Sequence, residues 1–409
     1  MSKSVFSMRV SGLVRVLLVL FCASCSEPNG AVKMAVQDSA GIRVVTTLRT
    51  EWEGAVPLEE EPIAVFGLEE PGVAPVGQIE DAVVLKGGAV VLIDRLGANV
   101  RRYDAQGQHL GVIGREGVGP GEFTTPRSLQ ALEDGGFVVH DQTLARASVF
   151  DSLGSLLTTV SLKGGPFEVA PADVWYLGPD QVVTWEVEPG YGSVRARTAT
   201  AERRAIPGNL RFLDLAQGTT RTLLAGTATE VIREAQRISP VMFATRALTD
   251  ALPGVVVFAE GTSHEVHWVE PILSLHTIVR HPSLNRALER TEIEGLLAER
   301  RAMATAAGTT LRNEIIYDPD LQPDIRPAFS RLAVGPDGTV WAKVFQPDRG
   351  GESQWWIVTK QGGFRGLVEL PYGTDVMDIT DEHLLLRRLD QFDVERLELW
   401  VIPEQIRQR

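Results

Sequence analysis

The chain has 409 residues, with 40 Lys and Arg against 53 Asp and Glu, for a formal net charge of −13. This acidity argues against a nucleic-acid binder, which needs basic patches. The 44% hydrophobic content allows a large core and argues against a disordered chain.

At the front, Lys3, Arg9 and Arg15 precede an apolar run from Val16 to Ala23. Spanning a bilayer takes about 20 apolar residues, so this run reads instead as a secretory signal over residues 1–24. The following "FCASCS" resembles the bacterial lipobox, which implies lipid attachment at Cys25. It departs from that pattern in having Cys22 where the family usually has Leu. Residues 25–40 then read as a polar tether. The expected location is the cell envelope, lipid-anchored. The outer membrane is favoured because no Asp follows Cys25. Ordinary cleavage, giving a soluble secreted or periplasmic protein, is the alternative. Both cysteines lie in this segment, so the remaining chain relies on no disulfide.

Two segments align further on, "GAVVLIDRLGANVRRYDAQG" from Gly88 and "GGFVVHDQTLARASVFDSLG" from Gly135. Asp94 maps onto Asp141, Asp104 onto Asp151 and Gly107 onto Gly154. Each unit reads as an apolar strand, a turn opened by Asp, a second strand and an Asp-x-x-Gly turn. Units of this length built from short strands predict a β-propeller. Between them lies "GREGVGPGEF", Gly114 to Phe123. A phosphate-binding loop needs a following helix and a Lys-Ser/Thr pair, and neither is present. The stretch therefore reads as a crossover between sheets.

"GVGPGEFTTPRSL" followed by the second unit resembles an NHL-type repeat, specifically over about residues 66 to 162. The whole chain resembles bacterial six-bladed propeller lipoproteins of largely unassigned function. The fold class implied is all-β, a six-bladed NHL-like β-propeller over residues 41–403. Further units fall within Asp173–Gly226, Pro240–His281 and Ser330–Pro371. The C-terminus supplies three strands. The last blade is expected to close with an N-terminal strand, "GIRVVTTL" from Gly41 to Leu48, which makes six; seven blades is the alternative count.

Thr291 to Gly308 reads as a helical insertion. Thr291 and Glu294 fit a capping box, and Ile293, Leu296, Leu297 and Met303 mark an apolar face. Glu188 to Asn209 reads as a solvated loop.

Chemistry is sparse. Asp94, Asp141, Asp104 and Asp151 recur and read as turn-forming. His264 and His267 stand three apart on a strand, so they face opposite sides and share no metal. His140 reads as a core or rim residue. Trp175, Trp185, Trp268, Trp341 and Trp400 read as core, and one of the consecutive Trp355 and Trp356 as exposed. Arg127 and Arg331 hold similar places just before an inner strand. They are the candidate binding residues at a channel mouth, for an anion or carboxylate. No catalytic or metal-binding residue is assigned and no cofactor is expected. The reading is a non-enzymatic, monomeric envelope propeller binding a protein, peptide or small ligand on one face. The alternative is a metal-dependent hydrolase in the channel, such as a resemblance to gluconolactonases implies.

Overall fold

The computed structural model describes residues 34–47, 54–58, 61–67, 74–163, 173–178, 180–187, 200–234, 237–281, 286–346, 352–371, 373–389 and 394–407. The signal segment, Cys25 and the first part of the tether lie outside the described residues.

The described chain is mostly β, with one 17-residue helix and three short helical turns. In chain order, the strands before the first sheet are β1 (Met34–Ser39), β2 (Ile42–Thr47) and β3 (Ala64–Phe66). The first sheet holds β4 (Ile79–Val84), β5 (Val90–Asp94), β6 (Asn99–Tyr103) and β7 (His109–Ile113). The second holds β8 (Pro126–Ala131), β9 (Phe137–Asp141), β10 (Arg146–Phe150) and β11 (Leu156–Ser161). The third has five strands: β12 (Val174–Gly178), β13 (Gln181–Val187), β14 (Glu202–Asp214), β15 (Thr219–Glu234) and β16 (Arg237–Pro240). The fourth is built on β17 (Ala247–Leu252), β18 (Val255–Glu260), β19 (Glu265–Glu270) and β20 (Leu275–Arg280). The fifth holds β21 (Phe329–Val334), β22 (Val340–Val344), β23 (Ser353–Val358) and β24 (Phe364–Leu370). The sixth holds β25 (Asp375–Ile379), β26 (His383–Leu389) and β27 (Glu395–Val401), completed by β3.

The first strands of neighbouring sheets touch in a closed circuit, from β4 through β8, β12, β17, β21 and β25 back to β4. This is the propeller-like arrangement that the repeat predicts. The second strand of each sheet shows why. In β5 all five residues are buried. Val90 and Leu92 pack towards the sixth sheet with Phe66, Leu385 and Leu397, while Val91 and Ile93 pack towards the second with Phe137, Val139 and Phe150. A strand whose sheet is covered on both faces is apolar at every position, not at alternate ones.

Closure uses an N-terminal strand, but not the expected one. β3 pairs antiparallel with β27, setting Phe66 opposite Leu397 and Ala64 opposite Leu399. Phe66 is fully buried. The segment expected to close the ring is β2, which instead adds parallel to the outer edge of β20. β1 then folds back on β2, so Met34–Ser39 is a strand and not the end of a tether. Ala40 and Gly41, both at positive φ, make the tight turn between them. The clasp escaped notice because three residues, "AVF", suffice for it, whereas "IRVVTT" shows a long strand pattern.

Other expectations shift as well. Glu202–Asn209, read as loop, belongs to β14 and pairs with β15; residues 188–199 lie outside the described residues. Helix α1 spans Arg290–Ala306, and its N-cap is Glu289 with no side-chain capping bond, so no capping box forms at Thr291 and Glu294. Gly308 does follow its end at positive φ. Ile293 and Leu296 are buried against Phe243 and Tyr317, while Met303 is exposed. Trp355 and Trp356 do face opposite ways, but both are buried, in two separate clusters.

The Gly-rich crossover between β7 and β8 is built to hold a cation. Arg146 donates to the carbonyls of Val118, Gly119 and Glu122. A loop that turns three carbonyl oxygens inward cannot cradle a phosphate, which needs N–H groups there. At Gly114 (φ +74°) a Cβ would strike the Phe123 ring and the Gly121 carbonyl, so only glycine fits.

The recurrent aspartates are turn-formers, as their spacing predicts. Asp141 accepts from the amides of Thr124, Thr125 and Leu144, and Asp94 from those of Gly77 and Gly97. Asp104 and Asp151 each accept from two amides of their own turns.

Candidate functional site: the mouth of the central channel

The first strands surround a cavity of about 580 Å³. Both sequence-nominated arginines reach it, Arg127 from β8 in the second sheet and Arg331 from β21 in the fifth. Among the described residues β8 and β21 are not neighbours in the circuit of first strands. Their surroundings differ. Arg127 contacts Glu80 at 2.7 Å and lies 3.8 Å from Asp173. Arg387, a third lining arginine, pairs with Asp375 at 2.8 Å. Arg331 has no ion-pair partner within 4.0 Å among the described residues, and its one hydrogen-bond contact is a long one to the Met377 sulfur at 3.8 Å.

Three carboxylates that the sequence reading passed over lie deeper in the same cavity. Asp81 accepts from its neighbour Ala82 N–H and, across the sheet boundary, from Leu129 N–H. Asp378 does the same with Ile379 and Val84, and Asp250 with Ala251 and Val334. Each therefore ties one sheet to the next. Gln130 makes a neutral version, accepting from Tyr176 N–H at 2.7 Å and donating to its carbonyl at 2.6 Å. The signal was present in the sequence, since an Asp interrupts the apolar pattern of each of the strands "IEDAVV", "ALTDAL" and "DVMDI".

These carboxylates line the cavity but are largely surrounded by protein. Such burial disfavours the charged form. Burial pushes Asp81 up to about 7, Asp378 to about 7 and Asp250 to about 6, against the amide bonds that favour the ionised form. Arg331 also lowers Asp81 and Asp250, so its charge is felt at both. Asp375 at the rim goes the other way. Burial pushes it up, but Lys343, Arg331 and Arg387 outweigh that and hold it at about 2.

Four further groups face the cavity from three walls: Ser128, Asp173, Trp175 and Thr249. Thr249 Oγ1 accepts from Trp185 Nε1 at 2.6 Å, which leaves its own proton for another acceptor. Trp175 packs against the core between the third and fourth sheets, as expected, but it is half-buried and also lines the cavity; Trp185 lines the cavity but is buried.

The histidines do not contribute. His264 stacks on Trp356, while His267 meets His276 at 3.0 Å on the other face of the sheet. Burial lowers both, to about 4 and about 3. His140 is buried in β9. Among the described residues, no group of three or more His, Cys, Asp or Glu side chains is placed to hold a metal ion.

No family model matches the chain, and no curated protein matches it. Solved structures do resemble it. A Bacteroides fragilis protein described only as an export candidate shares 12% identity over 88% of this chain and 99% of its own, at a TM-score of 0.45. A DUF4221 family member from Bacteroides vulgatus shares 11% over 84% and 94%, at 0.42. The WD40 repeats of RRP9 share 13% over 80% and 99%, at 0.39. At such identities the likeness reaches no activity.

Proposed function

We propose that the protein is a six-bladed, NHL-like propeller of the cell envelope, anchored through Cys25, that binds a small carboxylate-bearing ligand in its channel mouth without transforming it. The observation that carries the binding site is Arg331. A guanidinium opening on a cavity without a paired carboxylate is a ready partner for an anion, and Arg matches the two oxygens of a carboxylate. Pockets of this size with a few convergent polar groups are the usual form of small-ligand sites. The lipobox resemblance supports the anchoring. Among the described residues no helix is long and apolar enough to cross a membrane.

The test is a thermal-shift series with acetate, benzoate and glucuronate at pH 6 on the purified protein and on Arg331→Gln. Saturable stabilisation of the unaltered protein that the variant lacks supports the reading. Equal responses in both proteins refute it.

A further inference from the structure

The free groups around the cavity say more about the ligand than its charge. Resting on the carboxylate reading above, we propose that the channel mouth binds a cyclic sugar acid of the hexuronate type. The carboxylate would meet Arg331, one ring face would meet Trp175, and the hydroxyls would meet Ser128, Thr249 and Asp173.

Each part answers to a separate feature. Arg331 supplies two parallel donors and no competing ion pair. Trp175 is only half-buried although it sits in an inner strand, so part of its indole is left to the cavity. Such a surface takes the apolar face of a sugar ring by the same burial that packs a core. A plain aromatic acid would use these two features and nothing else. The remaining groups decide against it. The Ser128 hydroxyl has no hydrogen-bond partner among the described residues, and the Thr249 proton is free because its oxygen already accepts from Trp185. Asp173 holds Arg127 only at 3.8 Å, which leaves its carboxylate oxygens open to hydroxyl donors. An apolar ligand would strip water from all three and return nothing, a cost of about 1–3 kcal/mol per unpaired group. A polyhydroxy acid satisfies them. A neutral sugar would leave Arg331 unmatched.

Isothermal titration separates the possibilities. The purified protein is titrated with glucuronate, galacturonate, glucose, acetate and benzoate, and the uronates again with Arg331→Gln, Trp175→Ala and Trp175→Phe. Circular dichroism melts establish that each variant is folded. At least one uronate is expected to bind tenfold or more tighter than glucose, acetate and benzoate. Arg331→Gln and Trp175→Ala should each weaken it at least tenfold, and Trp175→Phe by less. If acetate or benzoate binds through Arg331 as tightly as either uronate, the sugar-acid inference falls while the carboxylate site stands. If no carboxylate binds the unaltered protein, both fall. Should Trp175→Ala prove unfolded, uronate affinity in Trp175→Phe unchanged relative to Trp175→Leu overturns the stacking role.

Discussion

Glu80 and Arg127 lie 47 residues apart, the spacing of the repeat, and their side chains meet at 2.7 Å across the channel mouth. The same position in successive sheets thus carries opposite charges, and neighbours neutralise each other. Arg331 has no such neighbour, because the preceding sheet offers Leu248 and Thr249 near its own start. Arg127 is 42% exposed at its side chain, so the pair contributes little to stability, about 0–1 kcal/mol. Glu80→Gln is expected to leave the urea midpoint nearly unchanged. It should tighten acetate binding a few-fold, since it releases a second cation facing the mouth. Unchanged acetate affinity would show that Arg127 is already available.

The closing strand should matter far more than its three residues suggest. Phe66 is fully buried among residues of the first and sixth sheets. Phe66→Ala is expected to cost about 3–5 kcal/mol in urea unfolding, the range for deleting a buried aromatic side chain. Val45 of β2 is also buried, in the core shared by the fourth and fifth sheets, but it is a smaller side chain on a strand added to the outer edge of β20. Val45→Ala should cost clearly less than Phe66→Ala.

The three channel carboxylates predict an unusual pH profile. Their folded values, about 7, 6 and 7, lie above the ordinary carboxylate value of 3.8. The folded state therefore binds more protons than the unfolded one between about pH 4 and 7. Their contribution to stability is fully present below pH 3.8 and is lost as pH rises through 6 to 7. Asp375, held at about 2, acts oppositely, and its contribution is lost only as pH falls from near 4 through 2. The buried His140, His264 and His281, lowered to about 4, and His267, lowered to about 3, act oppositely over part of this range, so the carboxylate share is read by difference. In thermal melts, the stability deficit of Asp81→Asn relative to the unaltered protein should shrink as pH rises through about 7. The variant is also expected to lose about 1–3 kcal/mol, because one amide oxygen cannot accept from both Ala82 and Leu129.

Carboxylate binding should follow the same titration. As Asp81 and Asp250 ionise, they compete with an incoming anion for the field of Arg331. Acetate affinity is expected to fall several-fold between pH 5.5 and 8. A flat profile in titration calorimetry would place the anion away from these acids.

Much of the ring was legible because it repeats. The alignment of Asp94 with Asp141 located two whole sheets, and the structure gives both residues the same job of holding turn amides. Elsewhere the repeat decays. The unit expected from Pro240 begins later, since Pro240 ends β16 and β17 starts only at Ala247, because the third sheet takes an extra strand. Arg127 and Arg331 were legible as mouth residues from their place before apolar runs. That one is neutralised and the other not depends on which acid the neighbouring sheet presents, a contact between residues far apart in sequence. Asp81, Asp250 and Asp378 were missed because an acid in a strand looks like a solvent-facing position. Here the face it occupies is the channel.

The sixth sheet is completed by β3 at its outer edge, while β25 meets β4 at the channel. The residues of β3 are cross-strand neighbours of β27, and such neighbours lie within the Cα spacing a disulfide spans. The decisive measurement is oxidation of an Ala64→Cys, Leu399→Cys variant that also carries Cys22→Ser and Cys25→Ser, followed by non-reducing mass analysis and a thermal melt. The account predicts near-complete disulfide formation in the folded protein and a raised melting temperature. Free thiols that persist under oxidation in a folded variant would contradict it.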